Sequence, residues 1–402
     1  MNHAGGVPAR EQAEREAAEE RLPPARGADG APARTLVVKI GSSTLVGADG
    51  TPDHAFLEDL AGQGARLRRM GWNLVVVSSG AIACGLRLLD LSERPSDMPT
   101  LQAAASVGQL TFARAYDEAF QGEGLLSSLV LVTRHDTARR ESYLHARDTL
   151  TRLVGLGVVP VVNENDTVTV DEIRFGDNDT LAALVSCLVS ADLCVTLSDI
   201  DGFYTANPAH DPEARLIPRV EKIDAGIIDA AEDSSNAVGT GGMITKVRAS
   251  RILMTAGIRS VICSGAEPDV LVRLARGEQV GTLFDPPVER RDIAPRKLWI
   301  ALGDTVHGAL MVDEGAVAAL TDRGSSLLPV GVRAVEGSFE TGDVVDIKDG
   351  NGLVVARGIA EADSDTLSLA AGRHQDEIAA NRLLSGLAGR PAVHRDNLIV
   401  FA

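Results

Sequence analysis

The sequence predicts an α/β protein built on a mainly parallel sheet, followed by a smaller β-rich domain. Three observations carry this. Apolar, β-rich runs alternate with helical stretches from residue 35 to about residue 263. Aromatic residues make up only 3% while hydrophobic residues reach 45%, so the core must be built from Val, Leu, Ala and Ile, which suits strands buried on both faces. Beyond residue 295 or so, the texture changes to short β runs separated by Gly and Asp.

Residues 1–34 are rich in Ala, Glu, Arg, Gly and Pro. They read as a disordered or partly helical extension, and they lack the apolar stretch of a signal peptide. Strands are expected at 35–40, 73–77, 128–132, 158–162, 193–197 and 260–263. Helical patterns fall between them, at 56–70, up to 89, 100–120, up to 154, 178–189 and 243–256. Such alternation implies right-handed βαβ crossovers, and ligands of such sheets bind at the carboxyl ends of the strands. Residues 35–285 form this domain. Residues 286–294, with Pro286, Pro287 and a charged run, form the expected linker. Residues 295–402 form the small domain, with strands expected at 297–301, 331–335, 344–347, 353–359 and 398–400 and one or two helices.

The net charge of −17 argues against nucleic acid as the main partner. Residues 290–402 carry 12 Lys and Arg against 16 Asp and Glu, a poor footprint for RNA. Cys84, Cys187, Cys194 and Cys263 form no CxxC or Cys/His zinc spacing and read as small buried residues in a reducing compartment. No apolar run reaches about 18 residues, so no membrane-spanning helix is expected and a cytoplasmic location is.

Five polar clusters fall at strand ends. Lys39 stands inside an apolar strand before Gly41-Ser42-Ser43. A buried ammonium there is unfavourable unless something anionic meets it, although a strand-end Lys can also reach solvent. The segment is neither a Walker A motif nor GxGxxG. Ser78-Ser79-Gly80 runs from a strand into a helix, which suits either an anion or an ordinary N-cap. Asn163-Glu164-Asn165-Asp166 and Gly176-Asp177-Asn178-Asp179 bring together carboxylates and amides. The carboxylates suit an ammonium or a metal–nucleotide complex and the amides suit a carboxylate, while a solvated turn is the plain alternative. Ser198-Asp199-Ile200-Asp201-Gly202 leaves a strand at an Asp-Gly turn. Thr240-Gly241-Gly242-Met243-Ile244-Thr245-Lys246 opens a helix, and its glycines, helix dipole and lysine favour phosphate contact.

In this order the clusters resemble the amino-acid kinase family, and within it the members that act on glutamate. VKIGSS, SSGAIA, NENDTV, GDND, SDIDGFYT and GTGGMITK carry the likeness, with AAASVGQ at 103–109 and ARDT at 146–149. It extends over residues 35–400, because the β-rich tail resembles a PUA domain through 313–316 and 323–329. The resemblance implies a three-layer αβα sandwich that converts ATP and L-glutamate to ADP and L-glutamyl 5-phosphate, the first step of proline synthesis, with proline as feedback inhibitor. It implies that Lys39 and Lys246 flank the transferred phosphoryl group and that Asp179 organises them. Ser79, Asp166 and Asn178 would bind glutamate. Lys39, Gly41, Ser198, Asp199, Thr240, Gly241, Gly242, Met243, Ile244, Thr245 and Lys246 would bind ATP, with Ser198 standing where the family has Thr. Mg²⁺ would arrive with ATP, held by phosphate oxygens and water rather than by an all-protein site. A homo-oligomer, dimer or tetramer, and transient contact with glutamyl phosphate reductase are expected. RNA and membrane are not.

A carboxylate is already nucleophilic near neutral pH, so the chemistry needs positioning and charge neutralisation rather than a general base. Two rivals are a kinase of the same family acting on N-acetylglutamate, aspartate or carbamate, and an RNA-binding protein using the β-rich domain. Within the first, Asp166 discriminates against an acetylated substrate, which has no free α-ammonium to pair with it. Charge discriminates against the second.

Overall fold

Strand β1 (Arg34–Ile40) buries six residues in succession. The computed structural model that shows this describes residues 23, 25–27, 31–47, 49–91, 93–133, 140–168, 178–233, 242–287, 293–302 and 306–401. A strand buried on both faces belongs in the middle of a parallel sheet. β1 indeed pairs in parallel with β2 (Trp72–Val77) on one side and β5 (Leu193–Ser198) on the other. With β3 (Leu126–Val132), β4 (Val158–Glu164), β6 (Arg219–Val220), β7 (Arg259–Ser264) and β8 (Thr282–Phe284), the order is β3-β4-β2-β1-β5-β7-β8-β6. All pairings are parallel except β7 with β8. β6 and β8 were not expected from the sequence: at two and three residues they are too short to show a period.

Helices cover both faces. They are α1 (Ser42–Leu45), α2 (His54–Arg69), α3 (Ala81–Leu88), α4 (Met98–Gly122), α5 (Arg140–Gly155), α6 (Asn178–Leu188), α7 (Ala225–Asp233), α8 (Met243–Thr255) and α9 (Val270–Ala275). Two starts are set by caps, where Asp53 accepts from the Phe56 N–H and Asp97 from the Thr100 N–H. Along β1, Leu36, Val38 and Ile40 pack with Leu57 of α2, Phe112 of α4 and Leu271 of α9. Val37 faces the other way, onto Leu184 of α6 and Leu253 of α8. Side chains alternate across a strand, so Lys39 shares the face of Val37 and enters the α6–α8 layer.

The second sheet has the order β10-β9-β11-β12-β13. Its strands are β9 (Gly308–Val312), β10 (Val332–Gly337), β11 (Val344–Lys348), β12 (Val354–Ala360) and β13 (Val393–Val400). Two expectations are corrected here. Residues 297–301 are not a strand but part of helix α10 (Pro295–Leu302). Leu298, Ile300 and Ala301 are all buried, which a period of two does not allow, and Pro295 suits a first helical turn. The domain also holds three further helices rather than one or two: α11 (Glu314–Thr321), α12 (Ser364–Ala370) and α13 (Gln375–Ala380). α10 joins the two sheets, since its apolar side chains share one core with Leu181 and Leu253 of the first domain and Val344 and Ile359 of the second. Among the described residues no helix is long and apolar enough to cross a membrane.

Helices α3 and α4 touch backbone to backbone. A Cβ on Gly85 would lie 1.8 Å from the Ala104 carbonyl oxygen, and one on Gly108 would lie 1.8 Å from that of Ala81. This contact seats the start of α3, just after Ser79 and Gly80. Gly108→Ala is therefore expected to lower stability by about 1–3 kcal/mol or more, because backbone cannot yield as a side chain can. Urea denaturation measures this, and wild-type stability would contradict the backbone contact.

Candidate active site

Three charged side chains meet below the carboxyl end of β1. Asp179 stands in the first turn of α6, where the helix dipole favours a carboxylate. The Lys39 ammonium lies 2.7 Å from its Oδ1, and the Lys246 ammonium 3.9 Å from its Oδ2. The Thr245 hydroxyl donates to Oδ2 at 2.7 Å. Asp179 is 1% exposed, Lys39 6% and Lys246 7%. Burial alone would raise the Asp179 carboxyl, but Lys39, then Lys246, and the hydrogen bonds from Lys39 and Thr245 hold it below the ordinary carboxylate range. Burial lowers the Lys246 ammonium, with Asp179 opposing and Lys39 adding to the effect. One carboxylate therefore serves two buried ammonium groups, and the Asp199 carboxylate also acts on Lys246. Such a centre favours an anion between the lysines.

Further residues named from the sequence lie at the ends of β1 and β5 and at the start of α8. Gly41 follows β1, and its N–H bonds the Leu197 carbonyl at the end of β5. Ser198 is buried at that end and donates to the exposed Asp199 carboxylate at 2.9 Å. Gly242 precedes α8 in extended conformation, and the Thr245 hydroxyl also reaches its carbonyl at 2.8 Å. Met243, Ile244, Thr245 and Lys246 form the first turn of α8. Thr240 and Gly241 lie outside the described residues, as do Gly176 and Asp177.

A second cluster lies beside the first and is neutral. The Asn178 amide donates to the Ser78 carbonyl at 2.6 Å, the Ser79 hydroxyl at 2.8 Å and Asn163 Oδ1 at 3.3 Å. Asn163, on β4, donates in turn to Gln109 of α4 at 2.7 Å. Tyr116 of α4 donates to the Ser78 hydroxyl at 3.1 Å. Thus Ser79 and Asn178 are brought together as expected, one residue from Asp179. Asp166 is half-buried in the turn after β4. Burial, reinforced by Glu164 and opposed by Arg94, pushes its carboxyl up to about 7. An ammonium ligand would relieve that penalty by restoring a counter-charge.

Gln109, Asn163 and Tyr116 were given no role from the sequence. The signal for Gln109 and Asn163 was present, as parts of AAASVGQ and NENDTV, but nothing in the spacing joins an α4 residue to β4.

Residues 34–264 match the Amino acid kinase family and residues 308–381 match the PUA domain. The chain is 47% identical to the Glutamate 5-kinase of Ectopseudomonas mendocina, over 92% of this chain and 98% of that protein. It is 45% identical to the Glutamate 5-kinase of Nitrosospira multiformis, over 91% and 98%. Among solved structures, carbamate kinase from Giardia lamblia bound to AMP-PNP is 17% identical with a TM-score of 0.47, covering 63% of this chain and 99% of that one.

Asp179→Asn would remove the carboxylate that two buried ammonium groups share. A loss of about 3–5 kcal/mol is expected in urea denaturation, partly recovered by added sulfate. Stability equal to wild type without any anion would contradict the charge balance described above.

Proposed function

The chain belongs to the amino acid kinase family, and on that footing we propose that it transfers the γ-phosphoryl group of ATP to the side-chain carboxylate of L-glutamate, giving ADP and L-glutamyl 5-phosphate. The observation that carries this reading is the pair of buried lysines sharing one buried carboxylate. Two anionic reactants repel, and the ammonium groups of Lys39 and Lys246 offset that repulsion as charge moves from the γ-phosphate to the bridging oxygen. Asp179 holds the two ammonium groups and does not touch the reacting atoms. It is committed to Lys39, Lys246 and Thr245, so Mg²⁺ accompanying ATP would be held by phosphate oxygens and water. The glutamate carboxylate attacks as it is, so no general base is needed.

Nucleotide would lie over the ends of β1 and β5, against Gly41, Ser198, Asp199 and the 240–246 segment. Glutamate would lie against Ser79, Asn178 and Asp166, with the Asp166 carboxylate on the α-ammonium. The reaction would be the first step of proline synthesis, with proline competing at or near the glutamate site as feedback inhibitor. A homo-oligomer in the cytoplasm, delivering its labile acyl phosphate to glutamyl phosphate reductase, completes the proposal. A kinase acting on N-acetylglutamate is the nearest rival, and it has no use for the Asp166 charge.

ADP release with ATP and Mg²⁺ over a panel of glutamate, N-acetylglutamate, aspartate and carbamate tests the substrate; turnover of N-acetylglutamate alone would defeat the proposal. Lys246→Ala is expected to lower kcat by about 10²–10³-fold while circular dichroism stays native, since one transition-state cation is lost. Unchanged kcat would remove Lys246 from the chemistry.

Asp166 must be ionised to hold an ammonium, so KM for glutamate should fall as pH rises through about 7. The sign is opposite for the free protein. A raised carboxyl contributes stability that is full below 3.8 and lost as pH rises through about 7. Asp166→Asn should abolish both trends and raise KM for glutamate by about tenfold or more, leaving KM for ATP within about twofold. A glutamate KM that kept its pH dependence in that variant would assign the titration elsewhere.

A further inference from the structure

We propose that Gln109 is a positioning residue for the acceptor substrate, holding Asn163 with its amide oxygen toward Asn178. This rests on the reading of the acceptor site given above. The AAASVGQ segment had no assigned part in the reaction, yet its last residue stands at one end of a polar chain that crosses four elements: Gln109 on α4, Asn163 on β4, Asn178 at the start of α6 and Ser79 after β2.

A side-chain amide has a donor end and an acceptor end of nearly the same shape, so its direction is fixed only by its partners. Gln109 Oε1 is an acceptor and Asn163 meets it with its Nδ2 at 2.7 Å. Asn163 then turns Oδ1 toward Asn178, which meets it with Nδ2. The same Nδ2 serves the Ser78 carbonyl and the Ser79 hydroxyl. With its N–H groups committed, Asn178 offers an oxygen, which suits an ammonium and repels a carboxylate. Asn163 is 3% exposed, so water cannot easily substitute for Gln109. Without that acceptor, Asn163 can reverse and set its Nδ2 against that of Asn178, which pushes Asn178 away from Ser78 and Ser79.

α4 is well placed to hold this chain. Three residues before Gln109, the Ser106 hydroxyl lies 2.8 Å from that of Thr167, next to Asp166. Seven residues after Gln109, Tyr116 donates to Ser78. Positions 106, 109 and 116 fall on one side of the helix, so α4 grips the β4 turn, the β4 strand and the β2 end together.

The test compares wild type, Gln109→Met and Gln109→Glu in steady-state kinetics with ATP, Mg²⁺ and L-glutamate, alongside thermal melts. Methionine keeps the shape and removes the acceptor. Glutamate keeps an acceptor oxygen and gives Asn163 the same orientation. Gln109→Met is expected to raise KM for glutamate about tenfold or more with KM for ATP within about twofold, and Gln109→Glu to recover most of the loss. Should the methionine variant fail to fold, Gln109→Ala takes its place, since Gln109 is only half-buried. An unchanged glutamate KM beside an active wild type overturns this inference alone. So does an equal rise in both KM values, or a Gln109→Glu variant no better than Gln109→Met. No turnover of glutamate by wild type overturns the proposed reaction and this inference with it.

Discussion

Asp179 between Lys39 and Lys246 is the interaction around which the first domain is arranged. Three charges are gathered where water is almost excluded, with the Asp179 carboxylate set against both ammonium groups. The arrangement requires a central strand whose parity sends Lys39 to one face, a helix start that favours a carboxylate, and a second helix that delivers Lys246. β1, α6 and α8 supply these, and the remaining sheet and helices keep the three in register.

The two halves of the cleft rely on different physics. On the phosphate side the field of two ammonium groups acts on any anion of suitable size, and geometry is secondary. On the acceptor side the groups are amides and hydroxyls, whose contribution depends on direction. Asp166 adds a charge there that burial partly suppresses, so it becomes fully effective only against an ammonium. In the proposed reaction, discrimination among small acids would fall to the side of Asp166 and Asn178, while the lysines would act on the phosphoryl group common to all.

The C-terminal domain is fastened to the helix that carries Lys246. Arg251, five residues further along α8, has its guanidinium 4.9 Å from the Phe401 ring centre. Burial lowers the Arg251 guanidinium to about 10, with Asp346 opposing and Arg357 adding. Arg357 pairs with Asp346 at 2.7 Å and donates to the Ala301 carbonyl of α10. With Val344, Ile359 and Ile399 in the same apolar core as α6 and α8, the PUA domain packs directly on the layer behind the lysines.

By itself the sequence determined the architecture of the first domain and pointed to the residues of its candidate site. Continuous apolar runs such as 35–40 and 193–197 suit strands buried on both faces, and they place Lys39, Ser79, Asp166 and Ser198 at or near strand ends, while Asn178 and Asp179 open a helix. It did not determine elements that owe their form to contacts. α10 was misread because five residues show no reliable period and its helical form is settled by two surfaces closing on it; β6 and β8 are too short to signal at all. Only the tertiary structure decided that one carboxylate serves both lysines, that burial raises Asp166 while the lysines lower Asp179, and that Gln109 reaches Asn163. These are distances between residues far apart in the chain, and a hydrogen bond or a field depends on distance in space, which spacing along the chain does not fix.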